Sequence, residues 1–323
     1  MLVNLVAIIV GFVLLVWGAD RFVVGAGATA RNLGVAPILI GLTIVAFATS
    51  APEVLVSVVA SMQGNPGLAV GNAVGSNIAN VGLVLGTTAS LRAIEVRSQT
   101  LRREMPALLA VTLLTFMLFV DGHLGRVDGL VLLASLVLVM YWLVALAFRS
   151  SASDPISAEF AAEIPTDLGM GTALAWFAVG LLVLLVGSNI LVGGATALAR
   201  DLGVSDLVVG LTIVAIGTSL PELAVSLVSA LKGEHGLALG NILGSNIFNM
   251  LAVIGVAGAI QPGEFNPKVV TFHFPVMVGL TLVLFVMAYN YSGEGRIKRV
   301  EGFALLLTYL AYQSYVIMGA VTG

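Results

Sequence analysis

The 323-residue chain has no cysteine, and only 10% of its residues are charged. An ordinary soluble domain carries roughly 25%. The absence of cysteine excludes disulfides, thiolate metal sites and a cysteine nucleophile. So few charges could not cover a water-soluble fold of this size, which excludes a cytosolic enzyme, a disordered chain and a nucleic-acid binder. No basic leader and no A-x-A-like site precede Asp20, so the apolar stretch from Met1 to Trp17 reads as a first span and not a cleaved signal. The net charge of −3 names no partner. What is abundant is apolar surface: 59% hydrophobic residues and a mean hydropathy of +1.08. That composition is expected of an integral membrane protein, all-α by its continuous apolar runs, with no sizeable soluble domain. The 37 glycines suit helices that pack closely or break.

A spanning helix needs roughly 20 apolar residues. The uncharged runs place spans near 2–30, 34–63, 67–90, 103–120, 127–148, 168–199, 204–232, 236–260, 268–289 and 301–320. The runs are continuous and lack the two-residue alternation of a barrel strand. Gly64-Asn65-Pro66-Gly67 marks a turn inside one long run, and Lys232-Gly233-Glu234-His235-Gly236 marks its later equivalent. Ten spans put both termini on one side. Ten Lys and Arg (Arg31, Arg92, Arg97, Arg102, Arg103, Arg149, Lys232, Arg296, Lys298 and Arg299) fall on the other side, against three (Arg126, Arg200 and Lys268) on the side of the termini. The positive-inside rule makes the richer side cytoplasmic and both termini extracytoplasmic. Asp154, Glu159, Glu163 and Asp167 then lie in a cytoplasmic linker, 150–167, between a first unit at 1–149 and a second at 168–323.

The two units are copies. At an offset of 169 residues, GLTIVAFATSAPE (41–53) lies over GLTIVAIGTSLPE (210–222), and GLAVGNAVGSNIAN (67–80) over GLALGNILGSNIFN (236–249). From Gly41 to Gly86, 26 of 46 positions are identical, polar letters included. Five spans precede the second copy. Five is odd, so the copies enter the membrane from opposite sides, as inverted-topology repeats of five helices each. Such repeats build a midplane site from broken helices.

Glu53 and Glu222 stand at equivalent positions, each well inside an uncharged stretch with nothing basic near in sequence. A charge at that depth costs several kcal/mol. Brought face to face by pseudo-symmetry, two such carboxylates make a cation site; a protonated structural pair is the other reading. Pro52 and Pro221 free backbone carbonyls near 48–49 and 217–218. Thr49-Ser50 and Thr218-Ser219 add hydroxyls. The donor set is therefore hard oxygen, suited to Ca²⁺ or Na⁺ and not to zinc or copper. Ser76 and Asn80, with Ser245 and Asn249, offer further polar groups one turn apart on a helix face. Gly71 and Gly75, with Gly240 and Gly244, read as small-residue packing faces. Asp20 and Arg21 read as a pair or as snorkelling side chains. His123, His235 and His273 read as loop or span-end residues, and Arg92 to Arg103 as orientation signals with anionic-lipid contact as a second reading.

With these motifs quoted, the chain resembles the calcium/cation antiporter superfamily, and within it the prokaryotic sodium/calcium exchangers. Segments 41–86 and 210–255 look like that family's α-repeats, and the span pattern extends the resemblance over the whole chain. The resemblance implies that spans 2, 3, 7 and 8 form an ion core, across which the long tilted spans 1 and 6 slide. It implies a calcium site of Glu53 and Glu222 with the carbonyls of Thr49 and Thr218. Sodium positions would use Ala46, Thr49, Ser76 and Glu53, and their mirror Ala215, Thr218, Ser245 and Glu222. Asn80 and Asn249 would join both glutamates at a central position, with Ser50 and Ser219 as motif residues along the pathway. The implied activity is Na⁺/Ca²⁺ antiport across a prokaryotic cell membrane, with H⁺- or K⁺-dependent calcium exchange as the alternative. The ions are cargo; no cofactor, nucleic acid or obligate protein partner is implied. Two departures stand out. Relatives often carry Asp where Asn249 stands, so this pocket holds two negative charges at most. Ala48 and Ala51 also replace the Gly and Leu that the second copy keeps at Gly217 and Leu220.

Overall fold

Long apolar runs leave the backbone no partner but itself, and they fold as helices. The computed structural model describes residues 1–34, 40–96, 99–150, 168–202, 215–288 and 295–322. Helix α1 (Leu2–Asn32) is followed by α2 (Gly41–Thr49), α3 (Ala51–Met62) and α4 (Pro66–Leu91). Then come α5 (Gln99–Phe119), α6 (Arg126–Ser150) and α7 (Met170–Asp201). The second half continues with α8 (Ala215–Thr218), α9 (Leu220–Leu231), α10 (His235–Ile260), α11 (Val269–Ala288) and α12 (Arg299–Thr322).

Among the described residues, seven helices are long and apolar enough to cross a membrane, or eight when α2 and α3 count as one bent span. The two other expected spans coincide with shorter apolar helices. One is Glu104–Phe119, whose run starts only after Arg102 and Arg103; the other is Leu220–Leu231. The first part of the span expected at 204–232 lies outside the described residues, as does 151–167 of the expected linker. Strands were not expected, yet two short antiparallel ladders close the loops. Here β1 (Ile94–Val96) pairs with β4 (Gly295–Ile297), and β2 (His123–Leu124) with β3 (Gly263–Glu264).

Burial separates a centre from a rim. In α4 and α10, 72% and 89% of the apolar window is buried, against 17–33% in the other candidate spans. The second pair of repeated motifs, 67–80 and 236–249, therefore sits on these two most buried candidate spans. At the rim, α1 and α7 run antiparallel along a stripe of glycines spaced by seven: Gly11, Gly18 and Gly25 on α1, and Gly180, Gly187 and Gly194 on α7. A Cβ added at Gly18 would lie 2.4 Å from the backbone N of Leu184, and one at Gly180 2.3 Å from that of Phe22. Backbones this close gain the dispersion contacts that drive helix association in lipid. Asn4 Nδ2 bonds Asp201 Oδ2 at 2.8 Å, and Asn32 Nδ2 bonds the Leu168 carbonyl at 3.0 Å, so the pair is tied at both ends. Asp20, expected to pair or snorkel, takes Lys232 Nζ at 2.8 Å. The Arg21 guanidinium lies over Trp176, 4.8 Å from its ring centre.

Candidate functional site

Pro52 and Pro221 set the local geometry. A proline cannot donate to the carbonyl four residues back and crowds it. The first-half run stops at Thr49, passes Ser50 at φ −84° and ψ 5°, and restarts at Ala51. The two pieces meet at a bend of 51°. In the second half α8 ends at Thr218, Ser219 sits at φ −90° and ψ 4°, and α9 restarts at Leu220. Each break leaves a glutamate, Glu53 or Glu222, in the first turn of the new helix. There the helix's partial positive end favours an anion, and each residue's own N–H lies against its carboxylate. Both side chains are 1% exposed, and they lie close enough for their charges to repel. Among the described residues, no lysine, arginine or histidine pairs with either.

The halves complete each other's pocket. Ser50 Oγ donates to Glu222 Oε1 at 3.0 Å, and the Thr49 and Ser245 hydroxyls approach the same carboxylate. Glu53 is approached by the hydroxyls of Ser76 and Thr218. Asn72 and Asn241 donate to the carbonyls of Glu53 and Glu222, at 3.5 and 3.3 Å. Asn80 Nδ2 donates to Asn246 Oδ1 at 3.1 Å, and Asn249 Nδ2 to Asn77 Oδ1 at 3.0 Å. Shifting every number by 169 interchanges these last two bonds, the reciprocity that a two-fold relation produces.

These amide bonds orient what remains. With their NH₂ groups spent on Asn246 and Asn77, Asn80 and Asn249 turn carbonyl oxygens elsewhere. Among the buried oxygens without a hydrogen-bond partner in the described residues, six belong to the repeated motifs: Glu53 Oε2, Glu222 Oε2, Asn80 Oδ1, Asn249 Oδ1, Ser219 Oγ and Ser245 Oγ. A natural interior rarely leaves such atoms unpaired. Unpaired oxygens on these repeated motifs, two of them on carboxylates that lie near each other, suit a desolvated cation. Of the expected residues, Ala46 is buried against Gly244, and Thr218 is half-buried. The side chain of Ala215 lies outside the described residues. The sequence offers the motif asparagines, Asn72, Asn77, Asn241 and Asn246 among them, as buried amides to be paired by a ligand; these four instead bond the Glu53 and Glu222 carbonyls and the amides of Asn80 and Asn249. Their repetition at matched positions was the available signal. The helix also widens to π winding at Asn80–Leu85 and again at Asn249–Val253. No residue pattern announced this, although such bulges gather at functional sites.

Among the described residues, the halves are not packed alike. A Cβ on Gly244 would meet the Leu42 carbonyl at 2.4 Å and Ala46 Cβ at 2.6 Å, so α2 lies directly on α10. The mirror expectation, close packing on Gly71 and Gly75, is not met among the described residues: nothing lies within 4 Å of a Cβ on either. Gly71 is exposed and Asn72 half-buried, whereas Gly240 and Asn241 are buried. Among the described residues, Gly71 and Gly75 are therefore open where Gly244 is covered; the segment that mirrors Leu42, around residue 211, lies outside them.

Comparison with known proteins gives consistent findings. The sequence profile of the family described as sodium/calcium exchanger protein matches twice, over residues 3–145 and 172–318, again 169 residues apart. The CaxA protein of Alkalimonas amylolytica is 48% identical over 97% of this chain and 98% of its own. The inner membrane protein YrbG of Escherichia coli is 39% identical over 98% of this chain and 100% of its own. Among solved structures, the sodium-calcium exchanger NCX_Mj soaked with Na⁺ and Ca²⁺ superposes with a TM-score of 0.82 at 33% identity, covering 95% of this chain and 96% of that one.

Proposed function

The chain belongs to the sodium/calcium exchanger protein family, and from that premise we propose that it is a secondary active antiporter exchanging Na⁺ for Ca²⁺ across the cytoplasmic membrane of a prokaryote. One observation carries the reading. Two buried glutamates, close to each other and without a cationic partner among the described residues, belong to motifs that carry four more unpartnered oxygens. Glu53 and Glu222, with the Thr49 and Thr218 carbonyls, would hold Ca²⁺. Na⁺ would use the same carboxylates, with Ala46 and Ser76 on one side and Ala215 and Ser245 on the other. Asn80 and Asn249 would serve the central position, and Ser50 and Ser219 would line the pathway.

Exchange follows from competition for the two carboxylates. A loaded pocket is charge-compensated and can be carried between faces. An unloaded one would present two bare anions to a low dielectric, which costs several kcal/mol and resists movement. Leak is suppressed for that reason. In this reading the chain crosses the membrane ten times as two inverted five-span units, 1–149 and 168–323, joined by a cytoplasmic linker, with both termini outside. The covered face at Gly244 and the open one at Gly71 are then opposite stages of one motion. Na⁺ influx would drive Ca²⁺ export.

The test is ⁴⁵Ca²⁺ uptake into proteoliposomes with Na⁺, K⁺ or H⁺ gradients imposed singly. Uptake driven by outward Na⁺ alone is the expected result. Uptake driven only by the proton gradient would replace sodium with H⁺ as the coupling ion.

A further inference from the structure

A basic cavity lies where three helices that serve the candidate site, or flank it, come to an end. It has a volume of about 550 Å³ and is lined by Arg92, Glu95, His235, Arg296, Lys298 and Arg299, within the ~300–1,000 Å³ of small-ligand pockets. Arg92 follows the last residue of α4, His235 opens α10 and Arg299 opens α12. The β1–β4 ladder fixes the floor by setting Glu95 opposite Arg296. Among the described lining residues, four Arg and Lys side chains thus stand with one carboxylate. Arg296, Lys298 and Arg299 are exposed and make no ion pair among the described residues. Arg92 Nη1 reaches the Leu231 carbonyl at 3.3 Å. Glu301, beside it in sequence, accepts the backbone N–H of Lys298 at 2.7 Å.

The duplicated fold supplies an internal comparison. The β2–β3 ladder repeats the β1–β4 ladder, and the Gly125 N–H bonds Asp128 as that of Lys298 bonds Glu301. In that equivalent place Gln261 stands for Arg92, His123 for Arg296, Gly125 for Lys298 and Arg126 for Arg299. The scaffold therefore stands with one cation, and three of the four charges serve something besides folding. Guanidiniums bind phosphate oxygens through paired N–H groups. Helix ends of spanning segments also place the cavity where the apolar layer meets water, at headgroup depth.

We propose that this cavity binds a phosphate-bearing anion, offered either by an anionic lipid headgroup or by free phosphate. Because it joins the end of α9, through Leu231, to the ends of α4 and α10, occupancy would brace the helices that carry Glu222, Asn80 and Asn249.

The test uses the purified full chain in neutral detergent. Its thermal midpoint is read with inorganic phosphate, short-chain phosphatidylglycerol or short-chain phosphatidylcholine. A rise with phosphatidylglycerol alone identifies a headgroup seat; a rise with both phosphatidylglycerol and phosphate identifies a general phosphate site. In either case Arg296→Gln/Arg299→Gln should weaken the half-maximal concentration by about tenfold or more, as expected for two lost charge-assisted contacts. Arg126→Gln/Lys268→Gln, which removes the same charge on the other ladder's side, should leave it unchanged. Should the double variant not fold, Arg296→Gln alone supplies the readout, with a smaller shift of the same sign. No rise with either anion, an equal rise with phosphatidylcholine, or equal weakening in both double variants overturns the proposal.

Discussion

At the scale of single residues, the account rests on which atoms are buried without partners. Asn249 is the most informative position after the glutamates. Its NH₂ is held by Asn77, so only its Oδ1 is left unpartnered. Asn249→Asp would give the pocket a third carboxylate. That group must be deprotonated to attract a cation, so activity should fall as pH drops through its titration range, while the parent chain changes less. Uptake profiles of parent and variant that coincide between pH 5 and pH 8 would contradict this. The glutamates were legible in the sequence because a charged letter in an apolar run has few structural explanations. The asparagine network was not. An amide letter does not reveal which of its two ends is spent on a neighbour, and that distinction separates the positioning residues Asn77 and Asn246 from Asn80 and Asn249.

At the scale of helices, the breaks were legible because proline's missing N–H acts locally. The π turns at Asn80 and Asn249 were not, since no local residue pattern marks them. The unequal packing among the described residues was equally invisible, since the motifs are nearly identical. It yields a paired prediction. Gly244→Ala forces a methyl into the Leu42 backbone and should cost ~1–3 kcal/mol of stability, seen as a lowered thermal midpoint. Gly75→Ala meets no described atom and should leave the midpoint nearly unchanged. It should nonetheless slow exchange, because the opposite stage of the motion needs that face. Full exchange in Gly75→Ala would show that the face is never used.

The Asp20–Lys232 pair makes a similar case. Its equivalents across the repeat are the uncharged Asn189 and Gln63, so only one side carries an ionic tie between α1 and the end of α9. The pair is about one-third exposed, so Lys232→Gln should cost no more than ~1 kcal/mol of stability. The variant is expected to change the exchange rate; an unaltered rate would reduce the tie to a surface contact.

At the scale of the whole molecule, duplication does the chemical work. One copy supplies one carboxylate, and a single buried charge matches neither a divalent ion nor a controlled exchange. Two copies bring both carboxylates near each other and add four further unpartnered oxygens on the same motifs, with α1 and α7 as a glycine-lined pair along the outside. The 169-residue repeat made this architecture readable, because polar letters matched along with apolar ones. What cannot be read from a repeat is departure from symmetry, such as the opening at Gly71 and Gly75 among the described residues and the one-sided basic cavity. The most direct measurement is Na⁺-driven ⁴⁵Ca²⁺ uptake by Glu53→Gln and by Glu222→Gln, each reconstituted after its fold has been verified by thermal unfolding. Uptake at the level of protein-free liposomes in both variants is the predicted result. Parent-level uptake in either would contradict the account at its centre.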